Sequence, residues 1–232
     1  MKVIVLVSGG IDSTVALWWA RSMDWSIVPM TMDYQGRPNA ERLALKRILR
    51  VAGIRELIKV HLAFLKEAED LIREGAAGKN LETAPGGYIP ARNMIFYSIA
   101  AHYAEAIGAD AVIGGHNAGD PEDFPDSSKR FFAIMERLYE TGLLNRGKRN
   151  VRIILPLAGM DKVAVLRAGH RLGAPLSLAW SCNRDGRKPC GRCGSCRERI
   201  DSYKELGIKD RRAPPFTPKR GMRKGIYHRR PS

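Results

Sequence analysis

The first fourteen residues, Met1-Lys-Val-Ile-Val-Leu-Val-Ser-Gly-Gly-Ile-Asp-Ser-Thr14, constrain the fold more than any other stretch. An apolar run of strand length ends in Ser8-Gly9-Gly10, and Asp12-Ser13 then open a helical pattern. A buried strand that feeds a helix through two glycines lets the backbone approach a ligand. It also turns the first N–H groups of the helix toward an anion. The loop lacks the Gly-Lys-Ser/Thr ending of a Walker loop and the Gly-x-Gly-x-x-Gly series of a dinucleotide site. With no lysine in the loop, main-chain donors and hydroxyls are the expected partners of a pyrophosphate. A ligand-free turn would account for Gly-Gly alone, but not for the whole string from Ser8 to Ser13.

The rest of the chain alternates strand and helix patterns. Residues 2–7 predict a strand and 13–23 a helix; Ser26–Met32 a strand and 40–52 a helix; Glu56–Val60 a strand and about Phe64–Arg73 a helix. A Gly- and Pro-rich loop, Ala76–Pro90, precedes a long helix at Ala91–Ile107, a strand at Asp110–Gly114, a polar loop at His116–Asp126 and a helix over 127–141. Val151–Leu155 then reads as a strand and Asp161–Arg171 as a helix. This order predicts an α/β fold: a mostly parallel five-stranded sheet with helices on both faces. Ligands of such sheets sit beyond the carboxyl ends of the strands. Ser8–Ser13, Asp33–Arg37 and His116–Asp126 converge on that rim.

All four cysteines fall within fifteen residues, at Cys182, Cys190, Cys193 and Cys196, with Gly191 and Gly194 in the short gaps. Two-residue gaps bring successive thiolates to one ion, and four thiolates close a tetrahedral structural site. The expectation is a C-terminal zinc-binding helical segment; an iron–sulfur cluster uses the same ligands. Disulfides fit poorly, because a cytoplasmic chain keeps such thiols reduced. A chain 44% hydrophobic and 27% charged suits a soluble globular protein. No apolar run is long enough for a membrane helix or a signal-peptide core, so a cytoplasmic location with no membrane partner is expected. The net charge of +15 is uneven: residues 209–232 carry nine Lys/Arg against Asp210, leaving +7 for the 208 residues before them. This basic, proline-containing stretch reads as a flexible solvated tail or as an arm for nucleic acid.

Ser8-Gly-Gly-Ile-Asp-Ser13 resembles the signature of the PP-loop ATP pyrophosphatases, which cleave ATP between its α- and β-phosphates and adenylate a substrate oxygen. Three further strings narrow the likeness: Tyr88-Ile-Pro-Ala-Arg-Asn-Met94, Gly114-Gly-His-Asn-Ala-Gly-Asp-Pro-Glu-Asp-Phe-Pro-Asp126 and Pro156-Leu-Ala-Gly-Met-Asp-Lys162. With the cysteines, they make residues from about Lys2 to Leu206 similar to the 7-cyano-7-deazaguanine synthase (QueC) family. Two strings depart from the family's usual pattern. Tyr34-Gln-Gly-Arg-Pro-Asn39 stands where it has a Tyr-Gly-Gln-Arg-His type string, with the order changed and His missing, and Glu122-Asp-Phe-Pro-Asp-Ser-Ser128 where it commonly has Ser-Gly-Tyr-Pro-Asp-Cys.

The resemblance implies a ligase that converts 7-carboxy-7-deazaguanine and ammonia to the nitrile, using ATP and Mg2+, for queuosine- or archaeosine-type nucleosides of tRNA. With the cysteine spacing and the basic stretch, this divides the chain into a PP-loop ATP-binding domain over 1–175, a zinc segment over 176–208 and the tail over 209–232; the resemblance also implies a homodimer. By position, Ser8, Gly9, Gly10, Asp12 and Ser13 would hold pyrophosphate, and Met30, Thr31 and Met32 would meet adenine through the backbone. Arg92, Lys162 and Asp120 are the candidate catalytic residues. Asn93, His116, Asn117 and Asp126 are candidates for the substrate; Asn93, Asn117, Asp120 and Asp126 could equally face magnesium, and Asn93 and Asp126 also stand where helix caps would. Two other readings remain at this level. One is a PP-loop enzyme that modifies tRNA directly, by thiolation or a similar reaction, although no cysteine outside the cluster is available to carry sulfur. The other is a non-catalytic nucleic-acid-binding module.

Overall fold

The computed structural model describes residues 1–65, 88–144 and 150–212. Five parallel strands are β1 (Lys2–Leu6), β2 (Ser26–Asp33), β3 (Ile58–His61), β4 (Ala111–Ile113) and β5 (Arg152–Ile154). They lie in the order β3-β2-β1-β4-β5, with Val3 opposite Ile27 on one side of β1 and Ala111 on the other. Chain order reverses at β1, so the crevice beyond β1 and β4 is the topological switch point, where ligands of open α/β sheets bind.

The helices are α1 (Ile11–Ser22), α2 (Asn39–Val51), α3 (Arg92–Ile107), α4 (Asp120–Asp123), α5 (Lys129–Gly142), α6 (Lys162–Arg171) and α7 (Gly194–Leu206). Covered on both faces, β1 needs an unbroken apolar run rather than an alternating one. Val3 and Val5 pack under α1, α2 and α6, whereas Ile4 faces the layer of α3 and α5, and all three are fully buried. Burial of each such side chain is worth about 1.5–3 kcal/mol, enough to fix the strand that delivers the Ser8–Ser13 loop.

The sheet and its helices fall where the sequence places them, shifted by one or two residues at the ends. One difference is informative. The polar loop over His116–Asp126 contains α4 and a 3-10 turn at Pro125–Ser127, because Pro121 and Pro125 supply the fixed φ that starts a helical turn. Of the helix expected near Phe64–Arg73, only the first two residues lie within the described part. The basic stretch begins docked: Asp210 pairs with buried Arg199 at 2.6 Å, and the Arg212 guanidinium lies 5.2 Å from the Trp180 ring centre. Residues 213–232 are outside the described part. No helix among the described residues is long and apolar enough to cross a membrane.

Candidate functional site

The loop after β1 is built by its own side chains. The Ser8 N–H donates to Ser13 Oγ at 3.2 Å, and the Gly10 N–H donates to Ser8 Oγ at 3.1 Å. Ser13 and Thr14 hydroxyls both donate to the Gly10 carbonyl, at 3.3 and 2.6 Å. These bonds leave the N–H groups of Ile11, Asp12 and Ser13 as the unpaired first turn of α1. That turn carries the positive end of the helix dipole. Two glycines make the cradle possible. Gly9 has φ +101°, and a Cβ there would stand 2.5 Å from the Glu41 carbonyl oxygen of α2. A Cβ on Gly115 would stand 2.8 Å from Ser13 N and cover the cradle.

Arg37 was not singled out by the sequence, yet it braces this loop. It is 5% exposed, donates to Thr31 Oγ1 at 2.9 Å, the Met32 carbonyl at 2.7 Å and Glu41 at 2.8 Å, and reaches the Ser8 carbonyl with its remaining nitrogen. The string Tyr34–Asn39 thus contributes a cation that ties the ends of β1 and β2 together. Met30 and Met32 already use their carbonyls, to Val7 and Arg37 respectively.

Across the crevice, α3 begins at Arg92 after Ala91, which takes a left-handed φ of 53°. Asp126 accepts the Asn93 main-chain N–H at 2.8 Å, and the Asn93 side chain donates back to the Asp126 carbonyl at 3.0 Å. The Asp126 carboxylate thus satisfies an N–H of the first turn of α3, and the pair joins two rim loops. Asn117 and Asp120 form a similar local pair: Asp120 accepts from the Asn117 N–H at 3.0 Å and from its side chain at 3.1 Å. Burial pushes the Asp120 carboxyl up, but His116, whose Nδ1 is 3.6 Å away, and the Asn117 N–H outweigh it and hold it below its ordinary range. Arg92 makes no ion pair among the described residues; its guanidinium lies 5.2 Å from the Phe124 ring centre.

Lys162, at the start of α6, donates to both oxygens of Asp12, at 2.9 and 2.7 Å. Its second carboxylate, 3.4 Å away, is Glu198 of α7, a residue the sequence gave no reason to choose. Burial works against the charge on Lys162, but Asp12 and Glu198 more than compensate and raise its affinity for the proton. The two strings carrying Asp12 and Lys162 lie 150 residues apart and meet only in the fold.

A cavity of about 310 Å³ opens at the switch point. Its wall includes Ser8, Gly10, Asp12, Ser13, Met30, Thr31, Met32, Arg92, Asn93, His116 and Asp120 of the expected set, joined by Arg37, Glu41, Tyr97 and Phe124. Gly9, Asn117, Asp126 and Lys162 are not part of its wall. Tyr97 is 1% exposed and its hydroxyl has no hydrogen-bond partner among the described residues. Such an orphan costs about 1–3 kcal/mol. The ring packs 4.7 Å from Phe132, a contact a phenylalanine would make equally well.

The four cysteine sulfurs lie within 4.8 Å of one another. A tetrahedron of thiolates at about 2.3 Å from zinc has edges just under 4 Å, close to the 4.0 Å between Cys190 and Cys196. Cys182 Sγ also accepts N–H groups from Arg184 and Cys190, at 3.4 and 3.3 Å, as a charged metal-bound sulfur would require. The donor set fits a tetrahedral thiophilic ion with no open position.

Comparisons with known proteins agree with this arrangement. Two solved structures share the fold at 17% identity: NMN synthetase from Francisella tularensis (TM-score 0.52, covering 91% of this chain and 79% of that one) and a predicted subunit of tRNA methyltransferase from Methanocaldococcus jannaschii (TM-score 0.51, covering 93% of each). Among sequence relatives, 7-cyano-7-deazaguanine synthase of a Cyanothece species is 37% identical over 90% of this chain and 98% of its own length. The protein of that name from Thermoplasma acidophilum is 33% identical over 90% of each. The profile of the family described as queuosine biosynthesis protein QueC matches residues 2–207, which takes in all the rim loops and the cysteines, and the chain belongs to that family.

Proposed function

We propose that this protein converts 7-carboxy-7-deazaguanine and ammonia to 7-cyano-7-deazaguanine, with two molecules of ATP cleaved to AMP and pyrophosphate. The observation that carries the reading is the unpaired first turn of α1, which opens into the same cavity as Arg92, Asn93 and the orphan hydroxyl of Tyr97. An anion cradle and a polar pocket for a flat heterocycle share one crevice.

The chemistry needs adenylation because a carboxylate is a poor electrophile and hydroxide a poor leaving group. A carboxylate oxygen attacks the α-phosphorus of ATP and releases pyrophosphate. Ammonia then attacks the acyl carbon and displaces AMP, leaving the amide. The amide oxygen is adenylated in turn, and loss of AMP and a proton gives the nitrile. Both adenylations shift negative charge onto leaving pyrophosphate, so the protein's contribution is orientation and charge stabilisation. Ser8, Gly9, Gly10, Asp12 and Ser13 form the cradle of the pyrophosphate, with the free main-chain N–H groups of Asp12 and Ser13 and the Ser8 and Ser13 hydroxyls turned to the anion. Arg92, with a guanidinium free of carboxylates among the described residues, meets phosphate or substrate carboxylate. Lys162 adds charge beside Asp12. Mg2+ supplies further neutralisation of the phosphates when bound, with Asp12 or Asp120 the available carboxylates. Met30–Met32 flank the adenine, and His116 and Asp120 the heterocycle. Asn93, Asn117 and Asp126 act by holding these loops in register.

The cysteine segment binds zinc in a structural role, as its saturated donor set favours. Residues 1–175 carry ATP, and 176–208 the metal. The protein works on a small molecule and acts as a homodimer. Incubation with 7-carboxy-7-deazaguanine, ATP, Mg2+ and ammonium, followed by mass spectrometry, tests the reading. Nitrile and AMP are expected. AMP released only when RNA is added, without nitrile, would transfer the assignment to direct tRNA modification.

A further inference from the structure

We infer that the cysteine segment is a positioning element of the nucleotide site, acting through Trp180 and Glu198, so that metal occupancy and ATP affinity are coupled. The inference rests on the reading that the Ser8–Ser13 loop binds ATP. Three contacts tie the segment to that loop and its braces. The Trp180 main-chain N–H donates to the Gly9 carbonyl at 2.8 Å. Asp185 accepts the Ala40 N–H at 2.8 Å, at the start of α2, whose next residue Glu41 orients Arg37 against Ser8. Glu198, two residues beyond Cys196, holds Lys162 on Asp12.

The metal cluster sets the first and the third. Trp180 is 2% exposed and packs with Cys182 and Cys196 against Ala40 and Ala44 of α2. Its indole N–H donates to the Cys182 carbonyl at 2.9 Å, so ring and ligand move together. Cys193 caps α7 and Cys196 lies in its first turn, which fixes the direction in which that helix presents Glu198. The segment has little apolar core of its own, and without an ion four adjacent thiols have nothing to hold them together. Metal loss therefore frees the partners of Gly9 and Lys162 as well as the thiols.

Coupling between two sites is reciprocal: if metal strengthens ATP binding by some factor, ATP strengthens metal binding by the same one. The expected factor is roughly 5 to 20, within the usual range for linked sites. The test is made on the metal-loaded full chain with a chromogenic zinc chelator, following metal release with and without ATP and Mg2+, alongside ATP affinity by calorimetry. Release slowed several-fold by ATP is expected, with ATP binding weakened by a similar factor after chelation. A variant covers the case of an apoprotein that fails to fold. Glu198→Ala should keep its full metal content and melting temperature, yet bind ATP about 3-fold more weakly, and Glu198→Gln, which still accepts from Lys162, should recover most of that. Equal ATP affinity in Glu198→Ala and wild type, together with metal release indifferent to ATP, overturns the inference while leaving the ATP site intact. A wild-type holoprotein that binds no ATP overturns the proposed function and this inference together.

Discussion

Replacing Gly9 by alanine separates a phosphate loop that depends on close approach from an ordinary turn. The φ of +101° at Gly9 is a conformation that L side chains rarely adopt, and holding alanine there costs about 1–3 kcal/mol. The new Cβ would also lie 2.5 Å from the Glu41 carbonyl oxygen and 2.8 Å from Leu45 N. Both atoms are helix backbone and cannot swing aside, so overpacking adds about 1–3 kcal/mol. Together the two costs come to about 4 kcal/mol, a large share of the 5–15 kcal/mol that holds a typical domain. Gly10 is the internal control. It sits at φ −78°, and a Cβ there would come no nearer than 3.3 Å to Ser8 Oγ, a flexible side-chain atom. Thermal unfolding should show Gly9→Ala melting about 8–16 °C below wild type, at about 2–4 °C per kcal/mol, with Gly10→Ala within a few degrees. If the two variants melt together, the tight seat of the loop on α2 is not what fixes its shape.

Three further outcomes follow from the same structure. Lys162→Ala leaves Asp12 facing the cavity without its cation. It should reduce nitrile formation at least about 100-fold, the scale seen when a charge-stabilising donor is lost, while wild-type activity in this variant would place Lys162 outside the chemistry. Tyr97→Phe removes an unpaired hydroxyl, so the protein should melt at or above the wild-type temperature and lose about tenfold in kcat/KM for the heterocyclic acid; unchanged kinetics would make the hydroxyl a passenger. Burial raises the Asp33 carboxyl, but hydrogen bonds and charge from Lys59 and Arg42 prevail and bring it to about 2. A depressed carboxyl stabilises the fold above its unfolded value near 4 and loses that contribution as pH falls toward 2. The gap between wild type and Asp33→Asn, about 1 kcal/mol after allowance for the exposed partners, should therefore be present at pH 6 and close between pH 4 and 2.

The parts of the fold that were legible in the sequence are those governed by local rules. The apolar run of β1, the glycines after it and the Cys-x2-Cys spacings are local signals, and each element appears where its pattern lies. The expected rim residues meet because parallel strands all end on one side of the sheet. The contacts that brace the site were not legible, because they join distant segments. Nothing in the string Arg197–Arg199 singles out Glu198 as the partner of Lys162, and the Trp180 bond to Gly9 is made by a main-chain N–H that every residue but proline carries. Arg37 offered a weak signal, a lone cation in a Gly- and Pro-containing turn, and its burial could be learned only from the fold. Asn93 and Asp126 stand at cap positions in the sequence, yet Ala91 precedes α3 with Asn93 already in its first turn, and Ser128 caps the helix after Asp126; the two meet across 33 residues instead, where the Asp126 carboxylate accepts the Asn93 N–H.

The central claim is that AMP is transferred onto oxygens of the heterocyclic acid, and isotope tracing tests it most directly. With both carboxylate oxygens of 7-carboxy-7-deazaguanine labelled with 18O, each turnover should give one nitrile free of label and two AMP molecules, each with a single 18O in its phosphate. Unlabelled AMP, or label found in inorganic phosphate beside ADP, would contradict the account.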